Sequence, residues 1–108
     1  MPWRETIEAY LRTLRPSTAG QYRVALDDFH QWYTGSYAEP PDPALLTDEE
    51  VRNWRSHLSG IRKLAASTVN VRISAVKGLA QHYGRSLETR GVRQVEQPIE
   101  PLTVRELG

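Results

Sequence analysis

The sequence predicts an all-α fold, with four main helices in one small bundle and a flexible C-terminal tail. Two observations carry this. Apolar residues recur at spacings of three and four through four separate stretches, which is the period of an amphipathic helix. Proline, glycine and polar clusters close each stretch, and after Gly84 the periodicity fails. At 108 residues the chain is one domain, or one domain with a tail.

Helix one is expected over Trp3 to Leu14, where Trp3, Ile7, Tyr10, Leu11 and Leu14 form one stripe. Glu5 and Glu8 lie near its start and Arg12 and Arg15 near its end, as the helix dipole favours. Pro16 then breaks the chain or opens the next helix. Helix two is expected from Pro16 to Thr34. Its core stripe is Tyr22, Leu26, Phe29 and Tyr33, and Gly35 is its natural stop. Pro40, Pro41 and Pro43 make the following stretch a surface connection.

Helix three opens at Thr47, with Glu50 completing a capping box. Val51, Trp54 and Leu58 form its stripe, and Gly60 follows its end. Helix four is expected from Ala66 to Tyr83, with Val69, Ile73, Val76, Ala80 and Tyr83 inward and Gly84 as its terminal glycine. The polar remainder holds Pro98 and Pro101 and reads as a linker. The expected division is therefore a helical domain over 1–84 and a linker over 85–108.

Composition removes several classes. There is no cysteine, hence no disulfide and no thiolate metal site. No apolar run follows the first residues, as a signal peptide needs. No stretch approaches the roughly 20 apolar residues that span a bilayer. A soluble, cytoplasmic protein with no membrane partner is the expectation. Enzyme templates fail as well. There is no glycine-rich phosphate loop, and His30, His57 and His82 are scattered without metal-ligand spacing. No catalytic residue, metal or cofactor is expected. The aromatics could stack on single strands, but Trp3, Tyr22, Phe29, Tyr33, Trp54 and Tyr83 sit on apolar stripes and read as core.

Charge is unevenly placed. The net charge is only +1. Residues 59–95 nevertheless carry Arg62, Lys63, Arg72, Lys77, Arg85, Arg90 and Arg93 against Glu88 alone. Such a block favours an anionic partner. Two helices also open on the same Ser-Thr step, Ser17-Thr18 and Ser67-Thr68. On helix two, Ser17, Gln21 and Val24 share a face flanked by Arg15 and Arg23. On helix four, Thr68, Val71, Arg72 and Ala75 flank the core stripe, and Asn70, Ser74, Lys77 and Gln81 form a second polar strip. Solvated helices favour Glu and Lys over the poorer helix formers Ser, Thr and Asn. Small side chains let a helix approach a duplex closely, and arginine reaches phosphate or a guanine edge. The expected DNA-binding set is Arg15, Ser17, Thr18, Gln21, Arg23, Lys63, Ser67, Thr68, Asn70, Val71, Arg72 and Lys77. The competing reading is a helical protein–protein module without nucleic-acid affinity, which the near-zero net charge favours.

Three stretches carry a family resemblance. They are Ser17-Thr18-x-x-x-Tyr22-x-x-x-Leu26-x-x-Phe29-x-x-Trp32, Leu45-x-x-Asp48-x-x-Val51-x-x-Trp54, and the run from Ser67 to Lys77. In that order and spacing they resemble the N-terminal core-binding domain of tyrosine recombinases, the phage-integrase and Xer-like site-specific recombinases. Val71 stands where the family usually has a basic residue. The segment from Pro101 to Leu107 resembles the point where the family's catalytic domain begins. The resemblance implies a SAM-like orthogonal bundle that forms half of a clamp around the core site, with its second and fourth helices on the major groove. It implies three partners: double-stranded DNA, the catalytic domain of the same full-length chain, and other recombinase protomers on DNA. The family's nucleophilic tyrosine lies in that other domain, so no tyrosine of this sequence takes that role.

Overall fold

A computed structural model describes residues 2–91. Its helices are α1 (Trp3–Leu11), α2 (Pro16–Tyr37), α3 (Asp48–Ser56) and α4 (Ala66–His82). A single 3₁₀ turn over Pro43–Leu45 leads into α3, and a π-helical turn over His57–Ile61 continues from it. Among the described residues there is no strand. The expected four-helix, all-α architecture is what forms.

The stripes predicted for each helix meet in one core. Ile7, Tyr10 and Leu11 come from α1, and Leu26, Phe29 and Tyr33 from α2. Val51 and Trp54 come from α3, Leu58 from the π turn, and Val69, Ile73, Val76 and Ala80 from α4. Phe29 meets Trp54 edge-on, with ring centroids 4.9 Å apart, an arrangement that aromatic quadrupoles favour. The capping box also forms. Thr47 Oγ1 accepts from the Glu50 amide at 3.3 Å, and Glu50 Oε1 accepts from the Thr47 amide at 3.1 Å. The second Glu50 oxygen accepts from the Tyr33 hydroxyl at 2.7 Å, which ties the start of α3 to α2.

Helix ends depart from the sequence reading. Helix α1 stops at Leu11, not Leu14. Its last turn tightens, with the Thr13 and Leu14 amides donating to carbonyls three residues back. The Thr13 hydroxyl donates to the Tyr10 carbonyl at 2.7 Å and holds that turn. Gly35 does not stop α2. The helix runs on to Tyr37, because the Tyr37 ring packs on Tyr33 at 4.6 Å and on Trp32 at 5.7 Å. The stop falls on Ala38, in the left-handed region at φ 61°. An L-residue there loses roughly 1–2 kcal/mol, which glycine does not. Ala38→Gly is expected to raise stability by about 1 kcal/mol, read as a higher midpoint in urea with an unchanged slope.

Helix α4 is buried more widely than one stripe. Ala75 and Leu79 are fully buried beside Val76 and Ala80. Ala75 was expected on the outward flank. It turns inward because α1, α2 and α3 all pack on α4, and α2–α4 is the most extensive helix pair.

The tail does not leave the bundle at Gly84. Gly84 closes α4 at φ 87°, as a terminal glycine should. Residues 85–91 then lie against α3 and α4. Leu87 is buried in the core. Arg85 Nε donates to the Leu46 carbonyl at 2.7 Å. Asp48 Oδ1 accepts from the Glu88 amide at 2.8 Å, the Thr89 amide at 2.7 Å and the Thr89 hydroxyl at 2.5 Å. Arg55 donates to the Arg90 carbonyl at 2.7 Å. Residues 92–108, which include Arg93 and the remainder of the expected linker, lie outside the described residues.

Candidate nucleic-acid interface

Helices α2 and α4 open in the same way. Their N-cap residues, Arg15 and Ala65, are extended at ψ 149° and supply no side-chain cap. The first backbone N–H groups of both helices therefore lack the side-chain acceptor that Thr47 gives α3. Ser-Thr occupies the second and third positions of each helix. Uncapped N–H groups and the positive end of the dipole suit an anion.

Between the two helices runs an open groove of about 390 Å³. Gln21 and Val24 line it from α2, and Ser67, Thr68, Val71 and Arg72 from α4. Val24 is 59% exposed and Val71 38%, so two branched apolar side chains face outward there. Five of the twelve expected residues thus share one concave surface: Gln21, Ser67, Thr68, Val71 and Arg72.

The other seven are placed differently. Arg15 and Ser17 are exposed at the start of α2, with Thr18 half-buried beside them. Lys63 is exposed in the turn before α4, in the left-handed region at φ 53°. Arg23 faces α1 and is ion-paired with Glu8, its Nη2 lying 3.3 Å from Oε1. Lys77 Nζ donates to the Thr89 carbonyl at 2.7 Å. The Asn70 side chain packs on Gly91, where an added Cβ would have to displace it. The second polar strip of α4 therefore receives the chain's own residues 85–91, through Asn70 and Lys77.

Two residues clustered with Arg72, outside the groove lining, escaped the sequence reading. Asp28 accepts from Arg62 Nη1 at 2.6 and 2.7 Å through its two oxygens. Arg72 Nε lies 3.4 Å from the same carboxylate. Asp28 continues the Ser17-Gln21-Val24 face at a spacing of four, so its position was legible. Its two arginine partners were not.

Two tyrosines are held in the phenol form. Burial pushes the Tyr10 phenol above its ordinary value, and neighbouring Tyr22 adds to the effect. Tyr33 is raised further, by burial and then by its hydrogen bond to Glu50. Among the described residues no group of three or more His, Cys, Asp or Glu could hold a metal ion, and no helix is long and apolar enough to cross a membrane.

Residues 2–88 match the family model for the phage integrase N-terminal SAM-like domain. The chain belongs to that family. No curated protein and no solved structure matches it significantly. The match is to an integrase's N-terminal domain, and no catalytic domain is found with it. The integrase domain match extends past Gly84 through Leu87 and Glu88, the residues that fasten the tail to the bundle.

Proposed function

We propose that this integrase domain binds duplex DNA for a site-specific tyrosine recombinase, gripping the core site with α2 and α4. One observation carries the reading: α2 and α4, which both open on a Ser-Thr step without a side-chain cap, form the walls of one shared open groove. Two N-termini flanking a groove can hold phosphates, while Gln21, Val24, Val71 and Arg72 face the base edges. Val71, where the resemblance expects a basic residue, offers methyl groups suited to thymine. The partners are double-stranded DNA, the catalytic domain of the full-length protein and further protomers on the same site.

The charges that remain free set the strength. Arg62 and Arg72 share Asp28, Arg23 is held by Glu8, and Lys77 and Arg85 hold backbone carbonyls. Arg15 and Lys63 form no ion pair among the described residues. Weak binding is expected, with a log–log salt slope of about 2 to 4, at roughly 0.9 per phosphate contact. A fluorescence titration of a labelled duplex at several salt concentrations measures it. Arg72→Ala is expected to weaken binding while the domain stays folded at the temperature of the titration. No binding at low salt, or a flat salt response, would overturn the proposal and leave the protein–protein module.

A further inference from the structure

We infer that Asp28 is a specificity-determining residue, which positions Arg72 to read a guanine edge in the major groove; this rests on the duplex-DNA reading above. Arg72 and Asp28 are largely enclosed, at 17% and 18% side-chain exposure, yet Arg72 lines the open groove. The Arg72 Nε is buried and hydrogen-bonds nothing among the described residues. Its 3.4 Å approach to Asp28 is an ion pair, longer than a good hydrogen bond. Arg72 thus lines the groove with its buried Nε turned to the carboxylate and its swing restricted there. Asp28 is itself fixed, because Arg62 holds both of its oxygens.

The carboxylate decides between the two targets open to an arginine. A phosphate is an anion, and Asp28, although shared with Arg62, offsets part of the charge that Arg72 would offer it. A guanine edge is neutral and presents two acceptors, O6 and N7, which match the planar guanidinium fork. The planar fork keeps its directional geometry beside Asp28, whereas the attraction for phosphate is reduced. Fixing the side chain beforehand also removes rotamer entropy that recognition would otherwise cost. Gln21 and the two valines around Arg72 supply neighbours with no charge of their own.

The test is selection from a duplex pool with a randomised centre, sequencing the bound fraction, for the wild type, Asp28→Asn and Arg72→Lys. The wild type should enrich guanine at one position by about tenfold over the other bases. Asp28→Asn should lose most of that enrichment while binding the unselected pool more tightly at low salt, since a repulsive charge is gone and Arg62 is released. Arg72→Lys keeps the charge and removes the fork, so enrichment should vanish with the salt slope unchanged. This variant preserves the test if Asp28→Asn melts early. Guanine enrichment retained in either folded variant overturns the inference, as does a wild type that binds duplex without enriching guanine. A wild type that binds no duplex at all overturns the underlying reading instead.

Discussion

Trp54→Ala is expected to lower stability by about 3–5 kcal/mol, the range for emptying a large aromatic site in a core. That is a large share of the roughly 5–15 kcal/mol that holds a domain together. Trp54 is fully buried, and its ring meets Phe29 edge-on. It also sits one turn before the π turn, so the cavity would open where α3, α2 and the last turn of the helix converge. Trp54→Phe should cost much less. The indole Nε1 is buried without a hydrogen-bond partner among the described residues, so phenylalanine removes a polar group that gains nothing inside. Urea unfolding of both variants checks this, and equal losses would show that the indole nitrogen matters after all.

Asp48→Ala is expected to release residues 85–91 while the four helices stay folded. The carboxylate accepts three donors from Glu88 and Thr89, and Thr89 is buried. Hydrogen bonds to a charged group contribute about 1.5–3 kcal/mol each when enclosed, and less where solvent reaches them. A net loss of about 2 kcal/mol for the segment corresponds to exchange at the Glu88 and Thr89 amides about thirtyfold faster. Acid should do the same to the wild type. The hydrogen bond from the Thr89 hydroxyl holds the Asp48 carboxyl below its ordinary value, against the opposing effect of burial, with the two backbone amides and Arg52 helping. A group depressed in the folded state stabilises fully above its unfolded pKa, about 3.9 for aspartate. That contribution is lost as pH falls through the lower folded value. Hydrogen exchange of the two amides, corrected for intrinsic rates, should therefore rise in acid for the wild type and lose this acid dependence in Asp48→Ala.

The helical stripes were readable because each is written locally. Val69, Ile73, Val76 and Ala80 declare their face by spacing alone, and Thr47 and Glu50 declare a cap by identity. The ends were less readable because distant or aromatic contacts set them. Tyr37 carries α2 past Gly35 by stacking on Tyr33, a contact that no single-residue preference encodes. Ala75 was misplaced because its burial depends on how many helices surround α4. At the groove, Gln21, Val24, Thr68, Val71 and Arg72 followed from face composition. Charge sums failed there because they count side chains and not partners. Arg62 finds Asp28 across 34 positions, and Lys77 finds the Thr89 carbonyl across 12.

The π turn at His57–Ile61 acts on the Arg62–Asp28 pair as an angular spacer. It spans five residues, and the Arg62 amide closes it on the His57 carbonyl at 2.9 Å. Relative to an α-helix, one added residue advances the chain by about 100° around the axis. Leu58 still points inward, but everything beyond Ile61 leaves the helix in a rotated phase. That rotation brings Arg62 round to the side of α2 that carries Asp28. A chain one residue shorter here would keep nearly the same composition and the same core, yet aim Arg62 elsewhere. The Arg62–Asp28 clasp is thus encoded partly in chain length, as a phase of rotation, and an alignment that closes a one-residue gap at this turn would silently uncouple it.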